Sequence, residues 1–257
     1  MKSTILIIST IISLLNVVVN DNVDAKKLFE DSKLKLSLKN IHLVLDLETS
    51  DGKGNSKTKT LAVYFAEFGE QKIVKIEFVA PENIAGTKII TTNYPNKKGI
   101  IEIYMPATGK IRKIRASQNN LKIMGSKIPI NQFSTVLEAE VKYKLLEKEV
   151  LNGVECHKIK VQTPNGKGEY GIAFVSVKKG YLLRIEKYNM QNKLVGLTEL
   201  SDYIKVDYSN LKVYPRGIRV KNLKTGESSN MRVFSVNYLG KVDIEDFKLS
   251  STAALTN

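Results

Sequence analysis

The chain has 257 residues, a formal net charge of +14, one cysteine and no tryptophan. That length holds one large all-β domain or two small ones, and a lone cysteine excludes an internal disulfide, so an exported fold must be held by its core alone. The positive charge is spread along the whole chain as lysine rather than gathered on one helix, and no tryptophan is available to stack bases, so we expect no nucleic-acid partner; anionic lipid head groups or acidic partners fit the charge.

The opening "MKSTILIISTIISLLNVVVNDNVDA" carries Lys2, an apolar run from about Ile5 to Val19 and the small-residue site Val23-Asp24-Ala25. This is the pattern of a secretory signal peptide over residues 1–25, cleaved near Ala25, and the run is shorter than the roughly 20 residues that cross a bilayer as a helix. Retention as an N-terminal anchor is the alternative. The expected mature unit is a single domain over residues 26–257. Its first stretch, "DAKKLFEDSKLKLSLKN", places Leu28, Phe29, Ser32 and Leu36 on one helical face and predicts a helix that ends near Leu34.

Period two then takes over. "NIHLVLDLETS" puts Ile41, Leu43, Leu45 and Leu47 on one face and His42, Asp46 and Glu48 on the other. After a "DGKGN" turn come "KTKTLAVYFAEF", "KIVKIEFVAP", "TKIITTNY", "GIIEIYMP" and "KIRKIRAS", a meander of short strands with turn signals about a dozen residues apart. "NNLKIMGSKIPINQFSTVLEAE" breaks the pattern and reads as a loop with a helical turn. Strands resume through "EVKYKLLEKEVLNGVECHKIKVQTP", with Asn152-Gly153 at a hairpin tip, and continue past turn candidates at Lys179-Gly180 and Thr225-Gly226. A terminal "DIEDF" closes the series. The expectation is one antiparallel sheet of about 10–11 strands, too long to stay flat. Large apolar residues on its alternating faces favour a wide or incomplete barrel over a filled one.

Catalytic chemistry is not legible. His42 and His157 lie on separate predicted strands. Neighbouring Cys156 and His157 point to opposite faces, so they do not chelate one ion, and Cys156 reads as a small buried residue. No nucleophile elbow, zincin, Walker or dinucleotide motif occurs. Asp243, Glu245 and Asp246 suit a solvated turn. The sequence predicts no enzyme activity, no metal and no cofactor.

Three stretches carry a resemblance. "FVAPENIAGTKII" supplies Ala80, Pro81, Gly86 and Thr87. "IEIYMPATGKIRKI" supplies Tyr104, Pro106, Arg112 and Ile114, and "IMGSKIPINQFS" supplies Met124, Gly125 and Ser126. In order and spacing they resemble the family of outer-membrane lipoprotein-sorting proteins with the LolA-like fold. The chain departs from the family pattern at Glu102, where tryptophan is frequent, and at Lys127 and Ile128, where an acidic residue and an aromatic are usual.

The resemblance implies a strongly curved, incomplete antiparallel β-barrel whose concave face is covered by the N-terminal helix and the mid-chain loop. It implies a periplasmic carrier, a monomer, that takes acyl chains of lipoproteins or other lipids from an inner-membrane transporter complex towards an outer-membrane acceptor. The residues expected to line the lipid cavity are Val63, Phe65, Ile76, Phe78, Ile89, Ile101, Ile103, Met105, Met124 and Phe133. Leu28, Phe29, Gly125 and Ser126 are the lid and hinge candidates. The alternative within the same fold is a lipoprotein sensor or envelope-stress regulator that binds a membrane protein; an exported hydrolase is a third reading.

Overall fold

The computed structural model describes residues 24–36, 39–94, 97–116, 141–162, 168–206 and 209–249. It opens with helix α1 (Ala25–Leu36). The first six strands are β1 (Ile41–Ser50), β2 (Ser56–Phe68), β3 (Gln71–Ala80), β4 (Lys88–Tyr94), β5 (Lys97–Met105) and β6 (Lys110–Ala116). The next seven are β7 (Lys142–Leu151), β8 (Val154–Gln162), β9 (Tyr170–Ser176), β10 (Leu182–Tyr188), β11 (Leu194–Val206), β12 (Ser209–Asn222) and β13 (Ser228–Tyr238). All thirteen join one curved, open antiparallel sheet in the order β6-β5-β4-β3-β2-β1-β13-β12-β11-β10-β9-β8-β7. The expected 10–11 strands were too few, because each turn-bounded stretch makes its own strand. The chain builds one wing as a meander, crosses 117–140, builds the other wing from its far edge inwards, and closes by pairing β13 with β1.

The centre of the sheet is decided by β1. Ile41, Leu43, Leu45 and Leu47 alternate with partly exposed neighbours, and each is 0% exposed. Register extends that face across the first wing. Leu43, Val63, Ile76, Ile89 and Ile103 stand opposite one another on β1 to β5, and beside them run Ile41, Phe65, Val74, Thr91, Ile101 and Ile114. Apolar cross-strand neighbours on one face are what hold a sheet in register, since a slip by one residue would turn the whole set outward. We call this face inner.

Helix α1 lies on the inner face of the second wing. Asp24 caps it: its Oδ1 accepts from the Lys26 and Lys27 amides at 2.9 and 3.2 Å. Such a cap satisfies donors that the first turn leaves without intrahelical partners, so cleavage after Ala25 would remove it. Phe29 packs among Ile159, Ala173, Val175, Leu182 and Leu200, with Leu28 and Leu36 against the same cluster. The helix runs two residues past the predicted end at Leu34, and the expected face is the buried one.

Strands β11 and β12 pair with each other from Gly196–Asn222 as far as Val206–Ser209. Yet β10 pairs with β11 only as far as Glu199, and β13 pairs with β12 only as far as Gly217. Beyond those points the two strands form a hairpin arm. Its Ile204, Val206 and Tyr214 pack into the cluster that holds the β1 leucines. Arg216 Nε donates to the Val233 carbonyl at 3.4 Å where the ladder has ended. Pro215, which cannot donate to a ladder, lies in the part of β12 that β13 no longer pairs. At Gly217 an added Cβ would stand 2.4 Å from Ser201 Oγ, so a side chain there would make the Ser201 hydroxyl turn away.

Among the described residues, cover on the opposite face is local. "DIEDF" is not a strand but a 3-10 turn over Ile244–Phe247, capped by Asp243 through the Glu245 amide at 3.0 Å. Its Phe247 is buried against Ala66, Ile73 and Ile90. The turns at Asn152-Gly153 and Gly226 adopt the positive φ expected of them.

Candidate functional site: an apolar inner face

Seven of the expected cavity residues belong to one cluster. Val63, Phe65, Ile76, Phe78, Ile89 and Ile101 are buried on β2 to β5, and Ile103 is partly buried against them. Their side chains are brought together because all seven occupy the same alternating face of consecutive strands. Met105 shares their parity but sits at the end of β5 and is 41% exposed, outside the cluster. Met124, Phe133, Gly125 and Ser126 lie outside the described residues. Of the lid candidates, Phe29 is buried and Leu28 partly buried under α1.

The resemblance residues serve a corner. Pro81 follows a cis peptide bond at the end of β3. The Gly86 amide donates to the Phe78 carbonyl at 2.8 Å and the Phe78 amide to the Thr87 carbonyl at 2.9 Å. Gly86 has φ +76, and a Cβ on it would stand 3.1 Å from Pro106 Cγ. The β3–β4 and β5–β6 corners therefore touch, which glycine with its free φ permits. Thr87 is buried, whereas Pro106 and Arg112 are exposed and Tyr104 is partly exposed. Gly86 and Pro106 thus shape the end of the first wing, while Arg112 stands opposite Ile103 and Ile114 opposite Ile101 on the inner face.

An open cavity of about 1020 Å³ lies on the second wing. Its walls include Leu200, Tyr203, Ile218 and Met231 together with Arg184, Glu199 and Arg219. None of the ten expected cavity residues is among its described walls. Its polar walls Arg184, Glu199, Arg219 and Asn230 stand in one row with Glu48, on the face opposite the β1 leucines, while Leu200, Ile218 and Met231 belong to inner-face clusters, so the cavity lies where β10 and β13 part from the arm. Sequence reasoning missed this cavity because it follows from where β11 and β12 part from their neighbours, which depends on long-range pairing. The proline and glycine at 215 and 217 were the available signal.

Some of its polar groups are engaged, while Arg184 Nε and Asn230 Oδ1 have no hydrogen-bond partner among the described residues. Arg184 Nη2 bonds Glu199 Oε1 at 2.8 Å, and Tyr203 donates its hydroxyl to the Leu182 carbonyl. Burial pushes the Tyr203 phenol far above its usual range, so it stays protonated. Burial also raises the Cys156 thiol and lowers both His42 and His157, Lys148 adding to the effect at His157. Cys156 is 0% exposed, as its sequence context suggests. His42 stacks on Tyr64 with ring centroids 4.4 Å apart, on the face opposite the leucines. Among the described residues no three His, Cys, Asp or Glu side chains are grouped to hold a metal. No helix among the described residues is long and apolar enough to cross a membrane.

A family model described as an uncharacterized protein matches residues 70–252, from the β2–β3 turn to the C-terminal segment. The chain belongs to that family. No curated protein sequence matches it. Among solved structures, a candidate outer membrane lipoprotein-sorting protein domain from Vibrio parahaemolyticus is similar at TM-score 0.72 and 15% identity, over 87% of this chain and 97% of that one. A DUF1329 family protein from Desulfovibrio piger is similar at TM-score 0.72 and 18% identity, over 90% and 99%. A LolA superfamily protein from Nitrosomonas europaea gives TM-score 0.65 and 14% identity, over 88% and 98%. This family member therefore has the LolA-like fold that its sequence motifs implied.

Proposed function

We propose that the protein is a periplasmic carrier that binds the acyl chains of lipoproteins or other lipids on its apolar inner face. It acts as a monomer between an inner-membrane donor and an outer-membrane acceptor, with its signal peptide removed and no catalytic step. The observation that carries this reading is the construction of the inner face. Apolar rows run across five consecutive strands, and among the described residues the hairpin arm packs on those rows while α1 packs on the inner face of the second wing.

The energetics suit such a task. Each methylene taken from water is worth about 0.8 kcal/mol, so an acyl chain needs an apolar lining throughout its transit. The inner-face side chains are buried here, so a lipid must displace α1 or the arm to reach them. A cover that docks by side-chain packing can be exchanged for acyl chains at little net cost, because one apolar contact replaces another.

The test is lipid extraction from the purified protein, followed by transfer of labelled lipid from donor to acceptor vesicles. Wild-type protein is expected to carry lipid and to transfer it. Ile103→Asp, which sets a charge into the apolar row, should lose both. Lys113→Glu, on the other face and exposed, should keep both. Lipid-free protein without transfer, or equal behaviour of the two variants, contradicts the reading.

A further inference from the structure

Two buried hydroxyls on the apolar inner face have no hydrogen-bond partner among the described residues. Thr91 stands between Val74 and Ile101 in a row that is otherwise Ile41, Phe65, Val74, Ile101 and Ile114. It is 5% exposed, and its Oγ1 makes no hydrogen bond. Tyr214, on the hairpin arm, is also 5% exposed and packs in the cluster of the β1 leucines, with its hydroxyl equally unpartnered. Tyr203 on the paired strand shows the ordinary solution, since its hydroxyl donates to a backbone carbonyl.

Buried polar groups without partners are rare in folded proteins and destabilise them, so each asks for a reason. A bound water would need two to four polar neighbours, whereas the side chains packed with Tyr214 in this cluster are hydrophobic. Two donors set among methyl and methylene groups match a ligand that is itself hydrocarbon with a few acceptors. The carbonyl oxygens that join acyl chains to glycerol have that chemistry.

We propose that Tyr214 and Thr91 are ligand-binding residues that each donate a hydrogen bond to an ester carbonyl of an acyl lipid, and that they select ester-linked over ether-linked chains. This rests on the carrier reading and adds to it a determinant of specificity. A fold that only buried hydrocarbon would have no use for either hydroxyl, since Phe and Val fill nearly the same space without the desolvation penalty.

The experiment compares the full chain with Tyr214→Phe and Thr91→Val. The probes are a dipalmitoyl phosphatidylglycerol, a diacylglyceryl lipopeptide, and the diether analogue of each. Without lipid, both variants should melt at or slightly above the wild-type temperature, because only an unpartnered hydroxyl is lost. Wild-type protein should hold the diester about tenfold more tightly than the diether, the worth of roughly one hydrogen bond. The preference should appear with whichever of phospholipid and lipopeptide is bound, and Tyr214→Phe should abolish most of it. Equal affinity for ester and ether overturns the proposal and leaves the carrier reading standing. A Tyr214→Phe variant that melts several degrees lower overturns it too, because the hydroxyl would then have a structural partner. Failure to bind any of the four probes removes the carrier reading beneath it.

Discussion

His42, on the outer face, and His157, opposite Val175 on the inner face, show how single side chains respond to the sheet they sit on. Burial disfavours the charged imidazole of both, so each binds its proton less readily folded than unfolded. A depressed folded pKa contributes stability that is fully present above the unfolded value of 6.5 and is lost as pH falls through the folded value. Melting temperature should therefore drop as the pH is lowered from about 7.5 to about 5.5, a window set by the ordinary histidine pKa. The double variant His42→Gln with His157→Gln should flatten the profile over that range. Thermal melts across a pH series check it, and an unchanged slope in the double variant would assign the effect to other groups. At the same scale Gly86 explains why a motif residue need not touch a ligand. Its left-handed φ and its closeness to Pro106 make it a corner piece, and the motif is legible because corners constrain residue type more tightly than apolar linings do.

Among the elements, α1 and the β11–β12 arm differ from the rest in how they are attached. The sheet strands are tied by ladders of backbone hydrogen bonds. Helix α1 is held by Phe29 and its neighbours, with Lys35 Nζ donating to the Lys179 carbonyl and Lys212 Nζ, from the arm, donating to the Leu34 carbonyl. Truncating a buried aromatic typically costs about 3–5 kcal/mol, so Phe29→Ala should loosen α1 while leaving the ladders of the sheet intact. We expect far-ultraviolet circular dichroism to keep its strand signal and an apolar dye such as ANS to bind more strongly. Loss of the whole sheet in that variant would mean that α1 is part of the core rather than a cover. The helix, its buried face and the β1 alternation were readable from periodicity, since a single element settles each. The arm was not. The first half of β12 passed unread as strand because Ser209 to Pro215 lacks clean alternation and contains a proline. Its departure from both neighbours is a fact of pairing between residues far apart in sequence.

For the molecule as a whole, the sequence motifs implied the LolA-like fold correctly, while composition and periodicity alone led only to a long antiparallel sheet. Register explains the difference in reach. Alternation says which residues share a face of one strand, whereas the face of a thirteen-stranded sheet depends on how every strand is aligned with the next. Seven of the ten expected lining residues fell into one cluster because β2 to β5 are consecutive hairpins, in which local order and spatial order coincide. The cavity on the second wing escaped notice for the opposite reason. That wing is built from its outer edge inwards after a long crossing, and its opening lies where two strands part company. The central claim is that acyl chains lodge on the inner face. Photo-crosslinking of the folded protein with a palmitate analogue bearing a diazirine near its methyl end, followed by peptide mass spectrometry, addresses it directly. The account predicts adducts on Ile76, Ile89, Ile101 or Ile103 and on the arm around Tyr214; adducts confined to the opposite face near Phe247, or competition by lipid that fails to reduce them, would contradict it.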